Sequence, residues 1–266
     1  MTRLLMTMTV LLSGCVTAQT PPCNPPPWAS APDERPFVRA VSIGWNRVNP
    51  SAYNGWSGAL TDCELDAEMW AGTWREAGIE TVCLLTEEAT IERCRVTLKS
   101  AVETLRAGDT LIVCISGHGG QYEDGSGDEA DGMDEYVCAY DGPVLDDTIC
   151  EWLGSVPTGV RVLWICDTCN SGTMYRGAPV CFRPAAIPPA FKGELILLAG
   201  CADGKTSAST GQGGAWSTAL FDAGPHGKAP SEWFFDASTV IESRQVPVYA
   251  EYGAVTDAFR HGEIVP

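Results

Sequence analysis

The chain has 266 residues, of which 45% are hydrophobic, and it carries a formal net charge of −17 at pH 7. This length suits one large domain or two small ones, and the apolar fraction is sufficient for a full hydrophobic core. The acidic balance excludes nucleic acid and anionic membrane surfaces as electrostatic partners, and it favours cationic ones such as metal ions or Lys and Arg side chains.

The N-terminus has the pattern of a sorting signal. Residues 1–14 combine an early Arg, a short apolar run too short to span a bilayer, and small residues before Cys15. The letters LSGC are similar to the bacterial lipobox, in which the Cys is lipidated after cleavage. Residues 15–36 are Pro-rich, which predicts an extended tether. We expect an exported protein anchored through Cys15 on the periplasmic side of a bacterial membrane; the alternative is an unused or mis-started N-terminus and a cytoplasmic protein.

From Phe37 onward, predicted strands and helices alternate. A helix is predicted over 61–78, with Thr61 or Asp62 as its N-cap and Leu65 and Met69 on one face, and a second helix over 90–108. The apolar runs predict strands at 37–45, 80–85, 109–116, 134–142, 161–166 and 193–201, and shorter helices at 146–154, 213–224 and 231–243. Buried strands separated by helices indicate an α/β domain with a mostly parallel central sheet flanked by helices on both faces.

Two reactive side chains follow the ends of predicted strands. His118 follows the apolar run at 109–116, and Cys169 follows the run at 161–166. Active sites of parallel α/β sheets form beyond the carboxyl ends of the strands, so we expect these two side chains to be neighbours. A thiolate is a strong nucleophile, and a nearby imidazole lowers the effective pKa of a thiol.

Small residues follow both reactive side chains: Gly119 and Gly120 after the His, and residues 170–172 after the Cys. Turns built from such residues leave backbone N–H groups free, and two converging N–H groups can stabilise the oxyanion of a peptide carbonyl. Either motif alone is more often structural. Together, at two strand ends, they indicate cysteine-type nucleophilic catalysis.

The stretches SGHGG (116–120) and DTCNSG (167–172) resemble the His and Cys blocks of metacaspases and related bacterial caspase-like peptidases. The resemblance runs from about Phe37 to the 240s and includes LTDCELDAEMW (60–70), GCADGKTSAS (200–209) and GAWSTAL (214–220). The QAC-type block of true caspases is absent. This resemblance implies a caspase-like (caspase–hemoglobinase) fold over 37–266 and a cysteine endopeptidase activity.

The resemblance also implies roles for individual residues. Cys169 is the expected nucleophile and His118 the general base, with the backbone amides of Gly119 and Cys169 holding the oxyanion. The family's acidic primary pocket maps onto Cys63, Asp66, Ser116 and Asp167. A long cationic side chain needs a carboxylate at the pocket floor, so we expect cleavage of proteins or peptides after Arg or Lys. Asp203 either lines this site or lies on the surface.

An acidic segment follows the His block, with seven acids in the thirteen residues 123–135. One interpretation is a solvated loop. The other is a calcium loop, since Asp and Gly alternate as in oxygen-rich sites, although Glu129 stands where an EF-hand needs glycine. The resemblance implies a tentative calcium site at Asp134, Asp146 and Asp147. Calcium would be an activator, and the chemistry itself needs no cofactor. A fourth family acid falls on Arg176, which predicts a weakened site or no calcium dependence.

Three further expectations concern processing and alternative functions. Segment 173–193 is rich in Pro and Gly and holds Arg176 and Lys192, in a region where family members are often self-cleaved. Arg183 is less suitable because Pro184 follows it.

Two alternatives to a hydrolytic peptidase stay open. One is a catalytically silent domain that binds calcium or a basic partner through its acidic face, and the other is peptide transfer in place of hydrolysis. We expect a monomer. Several of the twelve cysteines could pair, with no readable connectivity.

Overall fold

The computed structural model describes residues 36–125, 132–169, 191–202, 207–241 and 245–264. The predicted sorting signal and nearly all of the tether fall outside these residues, as do Asn170, Arg176, Arg183 and Asp203. Expectations that rest on them stay predictions. Within the described residues, no helix is long and apolar enough to cross a bilayer.

Nine strands are described: β1 (Val38–Gly44), β2 (Glu80–Leu85), β3 (Thr110–Ser116), β4 (Gly119–Glu123), β5 (Met133–Ala139), β6 (Gly142–Leu145), β7 (Arg161–Asp167), β8 (Glu194–Ala199) and β9 (Val248–Gly253). The described helices are α1 (Cys63–Glu76), α2 (Ile91–Glu103), α3 (Asp146–Leu153), α4 (Ala215–Ala223), α5 (Pro230–Val240) and α6 (Asp257–Arg260).

A six-stranded sheet with the order β2-β1-β3-β7-β8-β9 forms the centre of the molecule. Its first five strands are parallel, and only β9 pairs antiparallel, at the edge next to β8. A smaller antiparallel sheet, β4-β5-β6, begins directly after β3, and the described ends of the acidic segment lie at the end of β4 and the start of β5. The predicted α/β class with a mostly parallel sheet is confirmed.

Helices cover both faces of the central sheet. On one face, α1 and α5 bury three indoles: the rings of Trp70 and Trp74 are stacked with centroids 5.7 Å apart, and Trp233 meets Trp70 edge-on at 5.7 Å. On the other face, α2 and α3 bury Leu98 and Trp152 against the strands. Continuous apolar strands need this double cover, because each of their faces is apolar.

The structure differs from the predicted elements at two places that bear on the site. Leu65 of α1 is 42% exposed, and the buried face instead carries Asp66, Trp70 and Trp74, because the large indoles fill the space above the sheet. Gly119 begins strand β4, where a turn was expected. Glycine is needed there for close approach, since a Cβ at Gly119 would collide with the carbonyl oxygen of Cys169.

The chain after Gln245, which has no clear sequence pattern, forms the edge strand β9. Its residues are only partly buried, so it lacks the continuous apolar run that marked the inner strands. The nine cysteines in the described part of the chain are all free thiols, and none of the pairings considered from the sequence is present among them.

Candidate active site

The parallel pairing of β3 with β7 brings the two reactive strand ends together. Ser116 is in register with Asp167, so His118 and Cys169 each lie two residues beyond the same rung of the sheet. The N–H of Gly117 donates to the carbonyl oxygen of Asp167 at 3.4 Å, and this hydrogen bond joins the two segments that leave β3 and β7. Both reactive side chains line one cleft of about 290 Å³.

The imidazole of His118 is held in one tautomer. Its Nε2 lies 3.2 Å from the carbonyl oxygen of Gly58, which can only accept, so this contact places the proton on Nε2 and leaves Nδ1 with a free lone pair. Burial lowers the pKa of His118, and the Gly58 hydrogen bond offsets part of that effect. The ring is therefore neutral at pH 7, in the form that a general base requires.

Cys169 is a partly exposed free thiol whose Sγ accepts from the N–H of Ser207 at 3.4 Å. The residue before it anchors the turn. The Thr168 side chain contacts the Cys166 Sγ at 3.3 Å, and the Cys201 thiol donates to the Thr168 carbonyl oxygen at 3.2 Å. The nucleophile candidate thus stands on a buried, fixed residue at the end of β7.

The two residues expected to hold an oxyanion are in contact. Gly119 packs so closely on the Cys169 carbonyl that no side chain fits between them, and its strand is fixed by pairing with Val137 of β5. The expected aim of their N–H groups at a substrate oxygen stays a prediction.

Two buried carboxylates lie on either side of Gly214. The Oδ2 atom of Asp66 accepts from the Ser116 hydroxyl at 2.6 Å, and the Gly214 N–H donates to both Asp66 oxygens at 2.9 and 3.1 Å. A Cβ at Gly214 would collide with Oδ2 of Asp167 and lie 3.0 Å from Oδ2 of Asp66. The glycine therefore lets the carboxylates converge.

Asp167 is oriented from the opposite side. The Ser217 N–H donates to its Oδ2 at 2.8 Å, and the Ser207 hydroxyl donates to its Oδ1. Burial raises the pKa of Asp66 to about 7, with the nearby charge of Asp167 adding to the shift, and burial likewise raises the pKa of Asp167. Neither Lys nor Arg is among the described residues that line the cleft. Buried carboxylates without a basic partner provide a site suited to an incoming cation.

The four residues predicted for the primary pocket therefore surround one cleft. Cys63, Ser116 and Asp167 line it directly, whereas Asp66 is fully buried behind Ser116 and Gly214. Burial raises the pKa of Cys63 to about 12, so this thiol stays protonated and is not a second nucleophile.

Sequence reasoning missed part of the cleft wall. Asp62 occupies the N-cap position of α1, one of the two candidates predicted, but its side chain makes no capping hydrogen bond. It instead accepts from the hydroxyls of Thr61, at 2.8 Å, and Ser209, and the Ser209 bond is the main reason why the pKa of Asp62 is lowered. Ser207 and Ser209 were not predicted as site residues, because the segment 200–209 showed only a resemblance to the family. Their hydroxyls donate to Asp167 and Asp62, and these contacts depend on the fold.

The three acids expected to hold calcium do not form a complete site by themselves. The Asp134 Oδ2 accepts from the Gly125 N–H at 3.3 Å, and the Asp146 Oδ1 accepts from the Asp147 N–H at 2.9 Å. Among the described residues, no group of three or more His, Cys, Asp or Glu side chains is arranged to hold a metal ion. The calcium site therefore stays a prediction, and no step of the chemistry below uses it.

Comparison with known proteins places the chain in a family. The family model described as "Metacaspase, peptidase C14 domain" matches residues 39–176, or 138 of the 266 residues. The chain belongs to the metacaspase family. Metacaspase-1 of Arabidopsis thaliana is 32% identical over 157 residues, covering 49% of this chain and 43% of that protein. Metacaspase-2 of Trypanosoma brucei brucei is 29% identical over 230 residues, covering 71% of this chain and 64% of that protein.

The fold is shared with a solved structure. A crystal structure of a protein from Geobacter sulfurreducens matches with a TM-score of 0.74 and 29% identity, covering 86% of this metacaspase and 98% of that chain. The predicted family and caspase-like fold are therefore confirmed. The match spans less than two thirds of the length of the curated metacaspases compared above, 43% and 64%.

Proposed function

We propose that this metacaspase is a cysteine-type endopeptidase that hydrolyses peptide bonds after Arg or Lys. The observation that carries the proposal is one cleft in which a neutral imidazole and a free thiol stand beside two buried carboxylates. The first pair supplies a base and a nucleophile, and the second pair suits a long cationic side chain.

The chemistry begins with the proton of the Cys169 thiol, which passes to Nδ1 of His118. The sulfur then attacks the carbonyl carbon of the scissile bond, and the N–H groups of Gly119 and Cys169 stabilise the oxyanion. The imidazolium gives its proton to the nitrogen of the leaving amine, the C–N bond breaks, and an acyl-enzyme thioester remains. Water, deprotonated by the same imidazole, hydrolyses the thioester and regenerates the thiol.

The residue before the scissile bond is selected by charge. A guanidinium or ammonium entering the cleft reaches Asp167 at the wall, and it lies within the field of Asp66 behind Ser116. Each carboxylate is already oriented by hydrogen bonds from Ser116, Ser207, Ser217 or the Gly214 amide. Arg is favoured over Lys because its planar group can bond a carboxylate through two N–H groups. An acidic side chain would be repelled by these carboxylates wherever they are ionised.

The experiment compares fluorogenic peptides that differ only in the residue before the scissile bond: Arg, Lys, norleucine or Asp. Wild type is expected to cleave after Arg and Lys, and Cys169→Ala and His118→Ala are each expected to lose about a thousandfold or more in kcat. Equal cleavage after norleucine would contradict the charge-based pocket. No cleavage of any peptide, with retained binding of the Arg peptide, would contradict catalysis and favour a silent binding domain.

Two further proposals rest on residues outside the described ranges or on the family resemblance. Self-processing at Arg176 or Lys192 predicts fragments in the intact-mass spectrum of stored wild type and a whole chain for Cys169→Ala; whole chains in both would contradict it.

Lipid anchoring at Cys15 predicts palmitate labelling in bacterial cells that disappears in Cys15→Ala. Unlabelled wild type recovered from the cytoplasm would contradict export.

A further inference from the structure

A strip of aromatic side chains borders the catalytic imidazole. It consists of Tyr53, Trp56, Tyr122 and Tyr136. The Trp56 ring centroid lies 4.8 Å from that of His118 and 6.0 Å from that of Tyr53. A Cβ at Gly120, two residues after His118, would lie 2.5 Å from the Tyr136 hydroxyl oxygen, which places Tyr136 against the strand that follows the imidazole. Tyr122 and Tyr136 stack with centroids 4.4 Å apart.

Two members of the aromatic strip are open to solvent: Trp56 is 46% exposed and Tyr122 is 48% exposed. They stand on fixed backbone. The Tyr53 hydroxyl donates to the Ala139 carbonyl at 2.7 Å, and Val48 and Leu60 close the loop through N–H bonds to Ser57 at 2.9 Å and Asn46 at 2.7 Å. Large aromatic faces held rigidly at a surface are typical of contact sites for other molecules.

The direction in which a substrate lies across the site follows from the proposed chemistry. The side chain before the scissile bond enters the acidic cleft, which Trp56 does not line among the described residues. The leaving nitrogen must come within reach of His118, since that imidazole protonates it. The residues after the scissile bond therefore leave the centre past His118, and Trp56 is packed directly against that ring.

We propose that the aromatic strip binds the substrate segment that follows the scissile bond and selects an aromatic side chain at its first or second position. This inference rests on the proposed peptidase activity and adds a second specificity determinant to it. Trp56 is the central residue of this surface, because its exposed ring can pair with a substrate ring in an offset or edge-on arrangement. The covalent chemistry is unchanged, because the strip contributes only binding and positioning.

The test uses internally quenched peptides that share Arg before the scissile bond and continue with Ala-Ala, Phe-Ala or Ala-Phe. We expect wild type to cleave the better Phe peptide with a kcat/KM about tenfold above that of the Ala-Ala peptide. The ratio is expected to fall to about one in Trp56→Ala and Trp56→Leu and to persist in Trp56→Phe. Because both peptides are measured on the same variant, a general disturbance of His118 cancels in the ratio. Phe235→Ala removes an aromatic side chain that is 67% exposed on α5, and it is the matched control with an unchanged ratio.

Two results would overturn the inference while leaving the peptidase proposal intact. One is equal cleavage of the three peptides by wild type, and the other is a Phe preference that survives Trp56→Leu. Failure of wild type to cleave any of the peptides would instead remove the proposed activity, and the inference with it.

Discussion

The Nε2 atom of His118 lies 3.2 Å from the carbonyl oxygen of Gly58. This contact comes from a loop between β1 and α1, sixty residues before the imidazole that it orients. It places the ring proton on the side away from the lone pair of Nδ1, which the chemistry needs. Gly58 has φ of +51°, so its carbonyl direction depends on a conformation that side-chain-bearing residues rarely adopt.

The first prediction concerns that glycine. A Cβ at Gly58 would lie 3.0 Å from Trp56 and 3.2 Å from Cδ2 of His118, so Gly58→Ala should displace the imidazole. We expect kcat to fall about tenfold or more, because small misplacements of reacting groups are costly. Gly55→Ala is the matched control, since Gly55 has φ of +91° in the same loop with no atom within 4 Å of its added Cβ.

Both variants should lose about 1 kcal/mol of stability from backbone strain, but only Gly58→Ala should lose activity. Thermal melting and kcat measured on the same preparations separate the two effects. Equal kcat values for the two variants would show that the Gly58 contact does not position His118.

The second prediction concerns the buried carboxylates. Asp66→Asn and Asp167→Asn keep the size of the side chain and remove its charge. We expect each to reduce the ratio of kcat/KM for Arg over norleucine peptides by about a hundredfold, the scale of a lost desolvated charge pair. Glu68→Gln removes an exposed carboxylate from the same helix and should leave the ratio unchanged. An unchanged ratio in Asp66→Asn and Asp167→Asn alike would place the specificity pocket elsewhere.

The third prediction concerns pH. The pKa of Asp66 is raised to about 7 by burial and by Asp167, so its carboxyl is protonated below that pH and charged above it. For Arg peptides, KM should therefore fall as pH rises through about 7. The acid limb of kcat should lie below 6.5, because burial lowers the pKa of His118 from that value. Asp66→Asn should remove the pH dependence of KM and keep the acid limb of the kcat profile. A wild-type KM that does not change with pH would contradict the role of Asp66 in binding Arg.

The same shift has a consequence for stability. The pKa of Asp66 is 3.8 in the unfolded chain and about 7 in the folded protein. Its contribution to the free energy of unfolding is therefore fully present below pH 3.8 and is lost as pH rises through about 7. A bound cation should offset the loss above pH 7. An Arg-containing peptide inhibitor is therefore expected to raise Tm more at pH 8 than at pH 5, and the pH-dependent part of that difference should be absent in Asp66→Asn.

The fourth prediction concerns calcium. Because Asp134, Asp146 and Asp147 do not by themselves provide a group of three ligands in the described residues, and because a cation occupies the position of a fourth family acid at Arg176, we expect equal activity with calcium and with a chelator. Stimulation by calcium that is lost in Asp146→Asn would contradict this expectation. It would also show that further ligands, such as backbone carbonyls or water, complete the site around these acids.

The sequence predicted well those features of the fold and site that are encoded by neighbouring residues. Buried strands such as β3 and β7 read as apolar runs, and the reactive residues follow them at short distances, so their meeting at one sheet edge could be inferred. The pocket residues came instead from resemblance to metacaspases. Nothing in the local pattern of Asp66, on a helix, links it to Asp167 at the end of a strand 101 residues later.

The contacts that sequence did not predict depend on tertiary packing. The Gly58 carbonyl reaches His118 only because the loop after β1 folds over the end of β3. Gly119 was interpreted as a turn residue because glycine commonly marks turns, whereas here it permits a strand to touch the Cys169 backbone. Asp62 does stand at the N-cap position of α1, but its hydrogen bond with Ser209, 147 residues later, depends on the fold.

The central claim is that a thiol activated by His118 acts on substrates held by Asp66 and Asp167. The most direct test is covalent trapping with a peptidyl acyloxymethyl ketone that carries Arg, beside a matched ketone that carries norleucine. Intact mass and peptide mapping are predicted to show one inhibitor on Cys169 of wild type, formed much faster with Arg, slowed by Asp66→Asn and absent in His118→Ala. Equal labelling by both ketones, or labelling spread over several of the other cysteines, would contradict the account.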